Sequence, residues 1–387
     1  MLAAYARPEL AGLWTKYSKA PLDPLAFSKQ LPADCSDGLR RFLSSWLSLA
    51  PQICAKFGVD FPLLCDRLAL EQSTAKDLSL WKRHLWPTGV KLADFCCGMG
   101  GDTFFLPQEI SVTGVDLDPR RLAMYQTNTR ALGCERPTLC ADVLQAKGKW
   151  DFFQIDPARR SKLEANQRKT EAMTPSWLEI AQLLPRFEGA AIKLAPGFPL
   201  EELPSSASIT YLGNRTDCRE TLVTCGALAD PEPMVRAICL PGNLEIMAPR
   251  AILASHTPQE QDLGRFLVEP NPVLVRSHLF IEWAKPLGLW QIDAQIAYLS
   301  GDVQPPESPW CSSYQVLDWC ELGRDRVRQM LKKAGIRPMT LKKRGVEVEP
   351  AAELKALSVH QGQPGILFYT RLRNQKVAIL TLPPEIR

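Results

Sequence analysis

The sequence predicts an α/β fold, a parallel sheet with helices on both faces, preceded by a helical region and followed by a small α+β module. Three observations carry this expectation. From Val90 onward short apolar runs alternate with helical stretches, the rhythm of strands that pair in parallel across helical connections. The stretch "KLADFCCGMGGDTFFL", residues 91–106, runs a strand into three glycines, the kind of turn with which α/β proteins hold a nucleotide-like ligand. Ahead of it, Trp and Leu recur at spacings of three and four, the period of helices with one apolar face.

In chain order, "CSDGLRRFLSSWLSLAPQICAKF" spaces Leu39, Phe42, Leu43, Trp46 and Leu47 on one helical face, with Ser36 or Asp37 as N-cap. "FPLLCDRLALEQSTAKDLSLWKRHLW" repeats the pattern, and Pro87 and Gly89 end it. "KLADFCC" then reads as a strand, "GDTFFLPQE" as a helix start, "ISVTGVDLD" as a second strand and "PRRLAMYQTNTRALG" as a helix with proline in its first turn. "RPTLCADV", "WDFFQID" and "GAAIKLAP" read as further strands, with "TPSWLEIAQLLPRF" a helix before the last of them, and "ASITYLG" and "RETLVTCG" as two more. Beyond Pro241 the alternation weakens; "LVEPNPVLVRSHLFIEWAKPLG" reads as an extended entry and one helix. From Pro309 a strand, the basic helix "GRDRVRQMLKKAG" and three more strands make a compact module. The expected divisions are a helical region 1–86, a ligand-binding α/β domain 87–241, a connecting region 242–308 and a terminal α+β domain 309–387.

Composition narrows the class. The 387 residues are 45% hydrophobic and 23% charged, typical of a globular chain, and no apolar run approaches the roughly 20 residues that cross a bilayer. "MLAAYARPELAGLW" has no charged start followed by an apolar block, so no secretion signal is expected. The 12 cysteines are scattered without a CxxC and only 4 histidines accompany them. They are expected as reduced thiols in a cytoplasmic protein that binds no metal. The net charge of +4 is uneven: residues 308–387 carry +7 and the rest −3, which points a polyanion toward the C-terminal module.

The glycine turn limits the ligand. A phosphate-binding P-loop needs GxxxxGK[ST], and neither the spacing nor the lysine follows Gly98. A dinucleotide turn wants GxGxxG, but Thr103 stands at the third position. S-adenosylmethionine has no phosphate to neutralise, and Gly98 and Gly100 suffice to bring backbone close to it. Asp94 at the first strand end can face its cationic methionine end. Asp116 ends the second strand, where a carboxylate accepts from ribose hydroxyls, and Asp142 ends the third, where it can accept from an adenine amino group.

"ADFCCGMGGDT", "VTGVDLDP", "CADVL" and "QIDPARR" resemble the motifs of class I S-adenosylmethionine-dependent methyltransferases. "DPARR" is the most particular and resembles a bacterial subgroup carrying a C-terminal THUMP-like domain. "IRPMTLKKRGVEVEP" with "GILFYTRLRNQKVAIL" is similar to that domain, and "LALEQSTAKDLSLWK" to the subgroup's helical lead-in. The likeness runs from about Leu64 to Leu382; Cys96 replaces the leading glycine of the usual turn. It implies a Rossmann-like catalytic domain whose donor is held by Asp94, Cys96, Gly98, Gly100, Asp102, Thr103, Asp116 and Asp142. Gln72 in "EQST" reads either as a cofactor contact from the lead-in or as an exposed helix glutamine.

Methyl transfer needs a nucleophile in line with the donor methyl group. "QIDPARR" lies where the superfamily's amino methyltransferases carry Asp or Asn, Pro, Pro and an aromatic residue. Asp156 and Pro157 match that pattern, while Ala158 and Arg159 depart from it. Asp156 can accept from an amine or act as a base, and Arg159 can stack on a base or grip phosphate. Arg160 and Lys193 are expected at the same rim as substrate contacts. Cys225 in "VTCGA" reads as a buried thiol rather than a nucleophile. THUMP modules in related enzymes bind RNA, and the basic residues between Arg324 and Arg344 agree, with Lys342, Lys343 and Arg344 as phosphate contacts. The expected activity is methylation of a base in structured RNA, tRNA or rRNA; the alternatives are a non-catalytic RNA-binding protein on a methyltransferase scaffold, or a methyltransferase acting on small molecules or protein.

Overall fold

A computed structural model describes residues 14–18, 27, 36–159, 173–254 and 260–384, with Arg159 and Ala254 described in their backbone only. The chain divides into two compact units, residues 1–209 with 220–233, and residues 210–219 with 234–387.

The first unit opens with helices. α1 (Asp37–Ser48) starts where the Ser36 hydroxyl accepts from the Leu39 N–H, satisfying one of the donors that a helix start leaves without a partner. α2 (Ala50–Phe57) carries proline in its first turn and ends at Gly58, with φ +60°. α3 (Arg67–Gln72) is capped by Asp66, which accepts from Ala69 at 2.7 Å, and α4 (Lys76–Lys82) follows after a break at Ser73–Thr74. Each of the two stretches read from sequence as one helical pattern is thus a pair of helices. Trp14, Trp46, Phe57 and Leu63 pack in one cluster with Met99 and Phe104 of the glycine turn, so the lead-in helices are built onto that turn.

The sheet of this unit runs β9–β7–β4–β1–β2–β3. β1 (Lys91–Phe95), β2 (Ser111–Asp116), β3 (Thr138–Cys140), β4 (Phe152–Ile155) and β7 (Gly189–Leu194) are parallel. β9 (Cys218–Gly226) runs antiparallel to β7, and β8 (Ser208–Gly213) precedes it. α5 (Pro119–Ala131) is capped by Asp118, and α6 (Trp177–Leu183) opens with a capping box of Ser176 and Glu179. A two-stranded ribbon, β5 (Ala158–Arg159) against β6 (Met173–Thr174), leaves the end of β4. One expectation fails: "GDTFFLPQE" does not start a helix. Thr103 and Phe104 donate to the Gly100 carbonyl and Leu106 to that of Thr103; the turn ends there, because Pro107 has no N–H to continue it.

In the second unit β10 (Met234–Cys239) and β11 (Leu244–Pro249) form an antiparallel pair. A seven-stranded sheet follows, ordered β13–β14–β12–β15–β18–β17–β16. Its strands are β12 (Phe266–Pro270), β13 (Trp290–Asp293), β14 (Ile296–Gly301), β15 (Cys311–Glu321), β16 (Ile336–Lys343), β17 (Gln363–Leu372) and β18 (Gln375–Thr381). Short helices α7 (Pro272–Arg276) and α8 (Phe280–Ala284) lie between β12 and β13 in sequence. The strands at 266–301 therefore share one sheet with those beyond Pro309. α9 (Arg324–Ala334) and α10 (Pro350–Leu357) cover one face through Val327, Leu331 and Leu357 over Leu341, Leu367 and Leu380. The other face buries Phe368 and Ile379 with Tyr298 and Tyr314. The Phe368 ring meets Tyr314 edge-on at 4.9 Å and Tyr298 at 5.6 Å. Truncating a fully buried ring removes its transfer energy and leaves a cavity, so Phe368→Ala is expected to cost about 3–5 kcal/mol, read as a lower urea midpoint of the full-length chain.

Candidate active site

Elements of the first unit converge where β1, β4 and β7 end. The backbone after β1 turns sharply: Cys96 has φ +56°, Gly98 +55° and Gly100 +103°. Cys96 thus sits in the left-handed region that glycine takes without strain, at the position where the resembled pattern has glycine. A Cβ on Gly98 would meet nothing within 4 Å, while one on Gly101 would lie 2.9 Å from the backbone of Thr74. One side of the turn is open and the other is closed by the lead-in.

The predicted acids occupy the strand ends. Asp94 is buried, and its register opposite Gln154 on β4 puts the two side chains on one face of adjacent strands. Its carboxylate accepts from Gln154 Nε2 at 2.8 Å and from Thr103 Oγ1 at 3.0 Å. Burial, with the Asp102 charge nearby, pushes its pKa up to about 7, against the hydrogen bonds from Gln154 and Thr103. Asp116 accepts from the Gly98 and Asp118 N–H groups at 3.0 and 2.9 Å, which ties the end of β2 to the glycine turn. Asp142 accepts from the Leu144 N–H at 3.0 Å. Leu117, next to Asp116, is 66% exposed, an apolar surface at the strand end that sequence reading did not single out. Gln72 is exposed at the last residue of α3, two positions before Thr74. The Cys96 and Cys97 thiols are pushed up by burial, then by the acids around them, so neither is a thiolate.

Asp156 follows β4 directly, and Pro157 is buried behind it. Its Oδ2 accepts from Lys193 Nζ at 2.6 Å. Among the described residues, Oδ1 has no hydrogen-bond partner. Burial raises the Asp156 pKa, while Lys193 opposes this and Asp102 adds to it. Ala158 is exposed; Arg159 lies on β5, and its side chain and the whole of Arg160 lie outside the described residues.

Lys193 belongs to a charged web that the sequence showed only in part. Its ammonium also donates to Thr74 Oγ1 at 2.9 Å and lies 3.9 Å from Glu220 and 4.0 Å from Asp102. Lys82, at the end of α4, reaches Asp102 at 2.5 Å and Glu220 at 2.6 Å. The Lys82 and Glu220 side chains are 3% and 1% exposed. Close as they are, neither Glu220 oxygen accepts a well-directed hydrogen bond, so this contact is an ion pair by proximity. Burial works against both ammonium groups, but the acids outweigh it and hold both pKa values above the ordinary lysine value. Lys82 and Lys193 likewise overcome the burial of Asp102 and hold it well below the usual carboxylate range. Lys82, Glu220, Thr74 and Gln154 escaped sequence reading. The available signal was a charge inside an apolar run, as Lys82 stands in "LSLWKRHLW" and Glu220 in "RETLVTC".

A parallel sheet with a glycine turn after its first strand and acids at successive strand ends is the class I methyltransferase fold. A family model described as THUMP domain-like matches residues 311–383. Uncharacterized S-adenosylmethionine-dependent methyltransferases from two strains of Mycobacterium tuberculosis are 30% identical over 331 residues, 83% of this chain and 88% of theirs. A crystal structure of a Porphyromonas gingivalis W83 protein, provisionally named a methyltransferase, superposes with a TM-score of 0.75 over 98% of both chains at 19% identity; that likeness is of fold. The chain belongs to the S-adenosylmethionine-dependent methyltransferases. It is an enzyme, and S-adenosylmethionine is its methyl donor. The residues fit that molecule: the turn offers open space at Gly98, no lysine for a phosphate, and carboxylates suited to a cation.

The expected RNA contacts are placed less openly. Lys342 pairs with Glu269, donates to Tyr314 Oη at 2.8 Å and lies over the Tyr314 and Phe368 rings. Lys343 donates to the Val348 carbonyl at 2.5 Å, and Arg344 to that of Ala297 at 3.0 Å while lying 4.7 Å over Tyr298. Lys332 is exposed, and Lys333 is 83% exposed with Asp318 at 3.8 Å. Cys225 is buried on β9 opposite Ala190, as expected of a packed thiol. Among the described residues no cysteine is in a disulfide, no cluster of metal-ligating side chains occurs, and no helix is long and apolar enough to cross a membrane.

Removing one member of a buried ion cluster strands its partners. Lys82→Met is expected to lower stability at neutral pH by about 3–5 kcal/mol. Asp102 has a depressed folded pKa, so its contribution is present above the ordinary carboxylate pKa and lost on acidification. The deficit of Lys82→Met should therefore be full from about pH 7 down to about pH 5 and narrow only as urea midpoints are followed below about pH 4, the ordinary carboxylate pKa.

Proposed function

We propose that the chain methylates a base nitrogen in structured RNA, tRNA or rRNA, in the cytoplasm, where its thiols stay reduced. The observation that carries the chemistry is Asp156 at the end of β4, beside the β1 turn, with one carboxylate oxygen bound by Lys193 and the other available. The THUMP domain-like match supports RNA as the substrate. Asp116 is suited to the donor's ribose, Leu117 and Asp142 to its adenine, Asp94 to its ammonium group, and the backbone at Cys96, Gly98 and Gly100 to its close approach; Asp102 and Thr103 hold the turn from behind. S-adenosylmethionine supplies an electrophilic methyl group: the carbon–sulfur bond breaks, sulfur keeps the electron pair, and the new bond forms to nitrogen. Asp156 Oδ1 accepts an N–H of the incoming amine and orients its lone pair, and the amine's lost proton leaves through that oxygen or to water. Pro157 fixes the backbone at this point.

A second reading, a methyltransferase for small molecules or protein, is favoured by the internal partners of Lys342 and Arg344. Two measurements separate them. Asp156→Ala should abolish one modified nucleoside, by mass spectrometry of RNA from a complemented deletion strain, and leave the calorimetric affinity for S-adenosylhomocysteine unchanged. An unchanged nucleoside profile would exclude the catalytic role. Charge reversal at the exposed pair, Lys332→Glu with Lys333→Glu, should weaken RNA binding and flatten its salt dependence by about one to two counterions, without altering cofactor affinity.

A further inference from the structure

We propose that Lys193 is a positioning residue: held from behind by Thr74, Asp102 and Glu220, it pins one oxygen of Asp156 and leaves the other facing substrate. This deepens the reading of Asp156 given above and rests on it.

An ammonium has three N–H donors and no acceptor. Lys193 directs one to Asp156 at 2.6 Å and one to Thr74 at 2.9 Å. The third side faces Glu220 and Asp102, at 3.9 and 4.0 Å. Two of the three donors are thus engaged inside the protein and two acids lie about 4 Å from the ammonium, which is why Lys193 is read as acting through Asp156 and not on substrate. Its partners come from four segments: Thr74 from the lead-in, Asp102 from the glycine turn, Asp156 from the end of β4 and Glu220 from β9. The same web reaches Lys82 on α4. Thr74 is also the residue whose backbone closes on Gly101. The side chain that sets the acceptor is therefore fastened to the loop that holds the donor, and a displacement of either reaches the other through one ammonium.

Removing the lysine has a defined electrostatic consequence. Asp156 is faced by Lys193 on β7, Lys82 on α4, Asp102 after the turn and Cys96 after β1, and Glu220 on β9 reaches it only through Lys193. Without Lys193 the surrounding acids and burial act with only Lys82 against them. The Asp156 carboxyl then holds its proton to higher pH, and in that form it is a poorer acceptor for an amine.

The test uses the full-length chain with Lys193→Gln, Lys193→Arg and Thr74→Val. Methyl transfer from radiolabelled S-adenosylmethionine to total RNA from a strain lacking the gene is followed against pH at saturating RNA and donor. Lys193→Gln should lose on the order of 10²-fold in rate near neutral pH, recover part of it as pH rises, and keep RNA and S-adenosylhomocysteine affinities. Lys193→Arg should restore the wild-type pH profile in part, and Thr74→Val should show a smaller loss of the same kind. A wild-type rate and profile in Lys193→Gln would overturn the proposal, as would a loss confined to RNA affinity. If Lys193→Gln does not fold, an unchanged rate and profile in Thr74→Val would overturn it.

A second readout needs no RNA. The side-chain carboxyl carbon of Asp156, assigned by Asp156→Asn in carbon-13 aspartate-labelled protein, should titrate at higher pH in Lys193→Gln than in the wild type. An identical titration would refute the placement of Lys193 directly. RNA that is not methylated by the wild type, with the titration shifted, would instead count against RNA as substrate and leave Lys193 where it is.

Discussion

Two lysine ammonium groups at the C-terminal end of a parallel sheet, Lys82 buried and Lys193 half-buried, stay charged because acids close around them. Lys82 and Lys193 share Asp102 and Glu220, and Lys193 reaches on to Asp156. Desolvating such ions is expensive, and their mutual attraction offsets it only where every member has a partner. The segments supplying them must therefore arrive together. The lead-in helices, the glycine turn, the two strands β7 and β9, and the residue after β4 are fastened by that requirement as much as by apolar packing. This explains why the helical lead-in belongs to the catalytic unit: it brings Thr74 and Lys82, without which the acids beneath the site would repel one another.

Much of the sheet is legible in the sequence because its signals are local. Apolar runs of strand length separated by helical stretches locate the parallel strands, and acids at their ends mark the ligand side. The short turn after β1 reads as a helix start because glycine-then-apolar patterns fit both; Pro107 and the hydrogen bonds back to Gly100 decide it. The strands between residues 266 and 301 read as a connection, since their partner strands lie far along the chain and periodicity does not report pairing. Asp94, Asp116 and Asp156 can be found because motifs place them. Lys82 and Glu220 cannot, because an isolated charge in an apolar run means something only once its partner is known, and those two are separated by most of the first unit.

The C-terminal basic cluster carries the opposite lesson. In sequence it is a row of like charges, and like charges imply a polyanion. In the structure Arg324 pairs with Glu353, Arg328 bonds carbonyls at the end of α10, and Lys342 joins β16 to Glu269 and Tyr314. These side chains hold strands and helices of their own unit together, using both their charge and the apolar length of their stems. A count of cations overstates the charge available to a partner whenever the acceptors are carbonyls, which no count of acids includes.

Residues 101–106, directly after the glycine turn, form a single tight turn, so no long helix aims a positive end at the ligand there. Asp102 beside it is paired with Lys82, and Asp116 accepts from the Gly98 N–H. Adenosine diphosphates and triphosphates share the sugar and base of the methyl donor, but the turn itself supplies their phosphates with neither a helix end nor a lysine.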